Sequence, residues 1–440
     1  MSHHQTSTRS ATAAAVLATM LAAVGCEAGA PSEHVSSTTG LETSGPFGNT
    51  DGPETSSAAG SGTASTAHGA SADSTGVTSH LGTDSGDDGD SGGDTSACDD
   101  AKNPFNPAAG ELGHSQIAHW KYGRSAVLTI NFDDSTPGQA QIGVPAMVER
   151  GLVGTWFVNP GVLAYQDNEA TWTEIAPSSF QELANHTMDH AGAANYAEAE
   201  FQVGEAAAII RSAYPSDRSP LMAFNNGGGT TWNISDAEYQ ELLAEHHQVE
   251  RVHSSGIAPA TPGADMFTDL KAYMQAQTPA DDWARIHFHG ICSPNDTVNC
   301  VCDTPGQSSN CREFRVSQVN NGAVRSTDFL YFLDQVSSDA YFSEEVWVAG
   351  FASAHKYQQA RPVSQGVVLT ADDTGIELCL VSELDGGLYD EALTVMTEVP
   401  AQWNGCTATQ EGQSMTCRMS GATAHFEARI DRGPITLAPS

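Results

Sequence analysis

The stretch AVLTINFDDSTPGQAQIGVPAMVERGLVGTWFV, residues 126–158, decides the fold of this chain. It begins with a β-rich apolar run, continues through a segment with helical spacing that stops at Gly151, and ends in a second apolar run. Two short buried strands separated by an amphipathic helix are typical of a βαβ unit, in which the strands are parallel. The stretch therefore predicts one unit of a parallel α/β sheet.

The same alternation extends from about residue 119 to residue 361. β-rich runs such as LMAFN (221–225) and ARIHFHG (284–290) alternate with helical runs such as SDAEYQELLAEHH, which Ser235 can cap. About seven βα units can close into a barrel. After residue 361, short strands separated by turn residues predict a small C-terminal β domain, whose expected role is to cover one face of the barrel, with glycan binding as the alternative.

The N-terminus has the features of an export signal. Arg9 precedes an apolar run, residues 11–24, which is too short to span a bilayer because a transmembrane helix needs about 20 apolar residues. The small residues before Cys26 resemble a bacterial lipobox, in which the cysteine is lipidated after cleavage. We expect residues 1–25 to be a signal peptide. The protein is then exported, as a cell-envelope lipoprotein or a secreted protein.

Residues 26–103 are rich in Ser, Thr, Gly, Ala and Asp and contain almost no large apolar side chain. Such a segment buries too little surface to offset its chain entropy, so we expect a disordered N-terminal tether. Contact with a membrane is expected only through the lipid anchor at Cys26. The folded part is expected to comprise the barrel, residues 115–361, and the β domain, residues 362–440.

The charge of the chain limits its partners. It contains 54 Asp and Glu residues against 18 Lys and Arg residues. Because phosphate groups are bound mainly by Lys and Arg, this balance argues against a nucleic-acid partner. Neutral or cationic ligands fit better.

Cysteine usage agrees with export. If Cys26 carries a lipid, an even number of the nine cysteines remains. Four of these fall within residues 292–311, where disulfides are expected and a structural zinc knot is the alternative. Cys406 and Cys417 are close enough in sequence to predict a second local pair. The remaining connectivity does not follow from sequence.

Two short motifs carry potential metal ligands. NHTMDH, residues 185–190, places His186 and His190 four residues apart, on one face if the segment forms a helical turn. Such a pair also arises by chance in a chain with 16 histidines. However, Asp133 and Asp134 end the first strand just before a turn, at the barrel mouth, where (β/α) barrels have their active sites. Together the motifs predict a metal centre at this mouth.

These motifs, in this order, resemble the NodB-type polysaccharide deacetylases, carbohydrate esterase family 4. TINFDD and NHTMDH resemble the first two motifs of the family, and VGTWFV (153–158) resembles its second strand. IHFHG (286–290) resembles its late Leu-x-His motif and places His289. The resemblance covers about residues 115–400 and implies an α/β fold, a distorted (β/α)7-8 barrel that holds one divalent metal ion.

The resemblance also implies a role for each motif residue. Carried over by position, Asp134, His186 and His190 become the metal ligands, Asp133 the general base and His289 the general acid. Two imidazoles and a carboxylate leave an open position on Zn²⁺ for water, which suits hydrolysis. The implied activity is removal of N- or O-linked acetyl groups from an acetylated polysaccharide or oligosaccharide.

One motif departs from the family. The third motif of the family usually reads Arg-x-Pro-x-Gly, and its arginine orients the catalytic aspartate. This chain has AFNNGGGTTW at residues 223–232 instead. We expect Asn225 or Asn226 to hydrogen-bond Asp133 instead, without the arginine's charge, so that Asp133 keeps an ordinary carboxylate pKa. The missing arginine leaves one main alternative, a catalytically impaired carbohydrate-binding protein on the same fold. A structural cell-surface protein is a third hypothesis.

Three further side chains have expected places. Trp232 and Trp283 are the candidates for lining an acetyl pocket, and either could instead belong to the core. His287, which alternates with His289 along its strand, is interpreted as structural.

Overall fold

The computed structural model describes Cys98 and residues 105–227, 230–251, 266–276, 282–292 and 324–440. The expected signal peptide, nearly all of the tether and the cysteine-rich segment after Cys292 lie outside these residues. Within the described part, no helix is long and apolar enough to cross a membrane.

The strands of the described residues alternate with helices in the first two thirds of the fold and follow one another directly in the last third. In chain order the strands are β1 (Ser115–Ile117), β2 (Ala126–Asp133), β3 (Gly154–Val158), β4 (Glu182–Asn185), β5 (Met222–Phe224), β6 (Gln248–Glu250), β7 (Trp283–Phe288), β8 (Ile291–Cys292), β9 (Val324–Arg325), β10 (Val346–Ala349), β11 (Ser364–Ala371), β12 (Ile376–Ser382), β13 (Leu393–Glu398), β14 (Cys406–Gln410), β15 (Gln413–Met415), β16 (Cys417–Ser420), β17 (Thr423–Ala428) and β18 (Ile435–Pro439).

The helices of the described residues are short, and several are extended by a π-helical or 3₁₀ turn. They are α1 (Val144–Glu149), α2 (Leu163–Gln166), α3 (Ala176–Ser178), α4 (Tyr196–Glu200), α5 (Ala206–Ser212), α6 (Asp236–Glu245), α7 (Met266–Ala276), α8 (Ser326–Ser338), α9 (Ala340–Glu345) and α10 (Phe351–Ala360), with π-helical turns at Gln139–Gly143, Thr171–Ile175 and Phe201–Glu205 and 3₁₀ turns at Lys121–Gly123 and Arg361–Val363. Helix α6 begins with a capping box between Ser235 and Glu238, as its sequence predicts.

Strand β2 is the centre of a curled parallel sheet. It pairs with β3, β7 and β10, and the sheet continues from β3 through β4 and β5 to β6. All eight residues of β2 are buried, as expected for a parallel strand covered on both faces. On one face, the Phe132 ring stacks on Trp156 with centroids 3.9 Å apart and on Phe288 at 5.4 Å. This arrangement confirms the prediction of a distorted (β/α) barrel.

The C-terminal strands form two antiparallel sheets, in the orders β1-β13-β17-β16 and β11-β12-β18-β14-β15. Their apolar faces share one core with the barrel, in which Trp120 and Tyr357 lie beside Leu378 and Phe426. Disulfides join Cys98 to Cys379 and Cys406 to Cys417, and the second confirms the predicted local pair. The extra β region therefore packs directly against the barrel.

Candidate active site

The chain turns sharply at the carboxyl end of β2, and this turn presents two carboxylates at one mouth of the barrel. Asp133 is the last residue of the strand and is only 3% exposed. Asp134 and Ser135 follow with φ of 80° and 52°, a left-handed conformation that is uncommon for residues other than glycine. The Ser135 hydroxyl accepts a hydrogen bond from the Asn159 amide (2.8 Å), which ties this turn to the end of β3.

The two histidines of NHTMDH lie together, but the expected helical turn is wrong. Strand β4 ends at Asn185, and residues 186–190 form a loop in which Thr187 and His190 have φ of 71° and 61°. The Asn185 side chain accepts a hydrogen bond from the Thr187 amide and helps to fix the loop. The imidazole centroids of His186 and His190 are 4.8 Å apart.

Asp134, His186 and His190 form a three-ligand group. The Asp134 Oδ1 atom lies 3.2 Å from Nε2 of His186 and 3.5 Å from Nε2 of His190. Each of the three offers a ligand atom within 4.8 Å of the others. Ligand atoms bonded to Zn²⁺ at about 2.0–2.1 Å in a tetrahedral site lie roughly 3.3–3.4 Å apart, so these spacings fit one such ion.

The surroundings of the group orient its imidazoles. Nδ1 of His186 lies 3.0 Å from the carbonyl oxygen of Asn225, so a proton on Nδ1 leaves the Nε2 lone pair facing Asp134. Gly227 has φ of 73°, and a Cβ atom there would lie 2.9 Å from Nε2 of His190. Glycine at this position therefore gives the second imidazole the room that its place in the group requires.

Replacing Gly227 with alanine should weaken zinc binding by about 10–100-fold, the range for loss of a residue that orients a metal ligand. The new methyl group would meet the His190 ring. Isothermal titration with Zn²⁺ measures the effect. Gly412→Ala is the matched control, because Gly412 has φ of 72° but open space around its Cβ position. Equal zinc affinities for the two variants would contradict the prediction.

Asp133 is paired with an arginine, contrary to expectation. Nη1 and Nη2 of Arg251 donate to Oδ1 and Oδ2 of Asp133 at 2.7 and 2.6 Å, in a bidentate fork between two buried side chains. Arg251 directly follows β6, and its guanidinium also lies 4.3 Å from the centre of the Phe157 ring. The side-chain oxygen of Asn225, one of the two expected substitutes, accepts instead from the Gly227 amide.

The expectation that Asp133 keeps an ordinary pKa is also wrong. Burial alone would raise the pKa of its carboxyl, but the Arg251 guanidinium and the nearby imidazoles of His186 and His287 outweigh burial and hold the pKa well below its usual range. Burial likewise opposes ionisation of Asp134, whose pKa is nevertheless lowered, chiefly by its contact with the His186 imidazole. Both carboxylates are therefore ionised at neutral pH.

The carboxyl end of β7 brings His289 to the same mouth. Asp133, His287 and His289 each offer a ligand-type atom within 4.8 Å of the others. The buried side-chain amide of Gln139 donates to the backbone carbonyls of both Asp133 and His289. The ends of β2 and β7, and with them the predicted base and acid, are thus tied together by one side chain.

Of the two tryptophan candidates, Trp232 lies near the histidine loop and Trp283 does not. Trp283 is the first residue of β7, is 5% exposed, and donates its indole N–H to the Thr129 hydroxyl. It belongs to the core, because the site lies at the other end of that strand. Trp232 forms a β-bridge with Ala193, just beyond the histidine loop, and is only half-buried.

No protein-family model matches this chain, and no curated protein matches it. The solved structures that it resembles include carbohydrate esterases of family 4 and peptidoglycan deacetylases. A family 4 carbohydrate esterase from Streptomyces lividans in complex with acetate has a TM-score of 0.30 and 12% identity, and the match covers 53% of this chain and 95% of that one. The peptidoglycan deacetylase PdaC from Bacillus subtilis has a TM-score of 0.30 and 15% identity, covering 52% and 90%.

A pseudoenzyme of the same family is also among the similar structures. It is a mutant of a Bacillus anthracis protein with restored enzymatic activity, with a TM-score of 0.26 and 13% identity, and this chain covers 56% of its length. Likenesses at these identities and TM-scores carry no functional argument. The function is therefore inferred from the side chains of the site.

Proposed function

We propose that this protein is a metal-dependent hydrolase that removes acetyl groups, N- or O-linked, from an acetylated polysaccharide outside the cell or in its envelope. The observation that carries the proposal is the adjacency of two groups at one barrel mouth. Asp134, His186 and His190 have the spacing of a zinc site. Asp133, held by Arg251, and His289 lie beside them as a base and an acid.

The residues divide the chemistry between them. A divalent ion at Asp134, His186 and His190, most suitably Zn²⁺, would lower the pKa of a water molecule from 15.7 toward about 7 and polarise the acetyl carbonyl. Asp133 takes the proton of the attacking water on its carboxylate. His289 gives a proton to the departing nitrogen or oxygen of the sugar.

Arg251 acts on Asp133 rather than on the substrate. Its fork fixes the direction of the carboxylate and keeps it ionised, which a general base requires. The low pKa makes Asp133 an intrinsically weak proton acceptor, so catalysis depends on an acidified water as its proton donor. In this mechanism the buried, paired Asp133 needs the neighbouring ligand group for a cation, which would acidify the water.

The binding-protein alternative loses its main motivation. It rested on the absence of an arginine for Asp133, and Arg251 provides one from another strand. A site used for binding alone would not need a charged base beside a ligand group and a facing histidine.

Removal of the metal should abolish acetate release, and Zn²⁺ should restore it. The test is acetate release from a panel of acetylated glycans (chitin-like, peptidoglycan and xylan) with and without chelator. His246→Gln is a control for adventitious binding, because Glu200, Glu245 and His246 form a separate group of potential ligands. This variant should keep its activity and its chelator sensitivity. Chelator-resistant release would contradict the metal-dependent mechanism.

Export is the proposed setting, supported by the sequence of the N-terminus and by the disulfides of the fold. Mass spectrometry of the mature protein should find residues 1–25 absent and a lipid on Cys26. Cys26→Ser gives the comparison, because it should release the protein from membranes without changing its acetate release. An unprocessed chain that begins at Met1 would contradict this proposal.

A further inference from the structure

We propose that His287 is a positioning residue for His289, whose imidazole ring it holds in place by edge-to-face packing. The inference rests on the proposed function, in which His289 is the proton donor. It assigns a task to the ring packing of this buried histidine, which the mechanism does not otherwise use.

His287 lies in β7 and His289 directly follows the strand, with Phe288 between them. Side chains two residues apart along a strand point to the same side, and Phe288 between them points the other way, into the core with Phe132. The rings of His287 and His289 are 5.3 Å apart at an interplanar angle of 70°. This is the edge-to-face arrangement that aromatic rings favour.

A proton-donating histidine needs such support. Its ring is commonly oriented by a hydrogen bond from the nitrogen that does not react, as in the Ser-His-Asp arrangement. Within the described residues, Nδ1 of His289 is buried and has no hydrogen-bond partner. Gln139 fixes the backbone of His289 but not its ring. The contact with His287 is a restraint on the ring that the described residues show.

A second metal ion is the rival explanation for this histidine pair. Asp133, His287 and His289 have atoms close enough to hold one. However, both carboxylate oxygens of Asp133 are engaged by the Arg251 guanidinium at 2.6–2.7 Å. A cation placed there would face this fixed positive charge, so the group is better suited to handling a proton than to binding a metal.

The experiment compares His287→Ala, His287→Phe and His287→Gln in the full-length, zinc-loaded protein. Each is assayed on an N-acetylated and an O-acetylated oligosaccharide, with His289→Gln as the reference. Amide cleavage needs the acid more than ester cleavage, because an amine leaves poorly unless it is protonated. Loss of His289 should therefore lower amide cleavage by about 10²–10⁴-fold and ester cleavage by less.

His287→Ala should also lower amide cleavage more than ester cleavage. The rate of amide cleavage should fall by up to about 10²-fold, the effect of misplacing a catalytic group by about 1 Å. His287→Phe keeps a ring and should restore most amide activity, whereas His287→Gln keeps hydrogen bonding without a ring and should not. His355→Ala, at a half-buried histidine in ring contact with Tyr389, is the matched control and should leave the amide-to-ester ratio unchanged. Equal losses on both substrates, or rescue by Gln and not by Phe, would overturn the inference.

A readout without turnover keeps the inference separate from the proposed function. Crystal structures of the variants should show the His289 ring turned away from Asp133 in His287→Ala and unchanged in His287→Phe. An unchanged ring in His287→Ala overturns the positioning role, whatever the activity. Wild-type protein that binds zinc but releases no acetate from either substrate would instead overturn the proposed function.

Discussion

Replacing Asp133 with asparagine should lower acetate release by about 10²–10⁴-fold, the contribution expected from a general base, while zinc binding persists. Asparagine has nearly the shape of aspartate but cannot take up the proton of the attacking water. The proposed zinc ligands are other residues, so the metal content should stay the same. Steady-state kinetics together with metal analysis of the purified variant measures both quantities.

The variant also leaves the Arg251 guanidinium buried with a neutral partner, so some loss of stability is expected. Asp390→Asn is the matched control. Asp390 lies on a loop of the C-terminal region and pairs with the buried ammonium of Lys356 at 2.7 Å. The Asp390→Asn variant therefore loses a comparable ion pair outside the site. Acetate release should survive in that control. Zinc-loaded wild-type protein that releases no more acetate than Asp133→Asn, yet binds acetylated glycans, would favour the binding-protein alternative.

Replacing Arg251 with methionine should lower the free energy of unfolding by about 3–5 kcal/mol near neutral pH, the usual result of leaving one partner of a buried ion pair alone. Asp133 would keep its burial but lose the charge that offsets it. Activity should fall as well, because the carboxylate loses its fixed direction and its preference for the ionised form. Denaturant unfolding in the presence of chelator measures the stability without a contribution from metal.

The pH dependence of this destabilisation has a definite sign. In the wild-type protein the pKa of Asp133 is depressed on folding, so its pairing contributes stability above the unfolded pKa of about 3.9 and loses it as pH falls toward the folded value. In Arg251→Met burial should dominate and raise the folded pKa. The variant then loses stability as pH rises above about 3.9. The difference between the two proteins should shrink in acid and be largest near neutral pH.

Two further variants make the interpretation specific. Arg251→Lys keeps a positive charge but not the two-pronged hydrogen bonding, so it should restore stability in part and activity less. Asp133→Asn/Arg251→Met removes both charges and should be more stable than Arg251→Met alone, as a double-mutant cycle for a direct pair requires. Strictly additive losses would show that the two side chains do not depend on one another.

The sequence was sufficient for the barrel and for most of the candidate site. The end of an apolar strand indicates a barrel mouth, so Asp133 and Asp134 could be placed there without a structure. His186 and His190 lie close together, as the spacing predicted, but a helical turn is not the reason. Left-handed residues in a loop, rather than a helical turn, bring their rings together, and spacing alone does not distinguish the two.

Arg251 was missed because its partner is 118 residues away in the chain. The third motif gives no sign of this arginine, because the ends of parallel strands converge in space whatever their order in the chain. Arg251 directly follows β6, so its position at a strand end was a usable signal. Trp283 could have been excluded by the same reasoning, because it begins the strand that His289 follows.

The disulfide between Cys98 and Cys379 closes a covalent ring across 281 residues of sequence, and the whole barrel lies inside that ring. A pull on the N-terminal segment would reach Cys98 and pass through sulfur into β12 of the C-terminal sheet, without travelling along β2 or the loops of the site. For a protein tethered to a surface by a lipid on Cys26, tension on the tether would then reach the C-terminal sheet directly through this bond. The bond would thus share the tension on the tether between the C-terminal sheet and the chain that leads to β1.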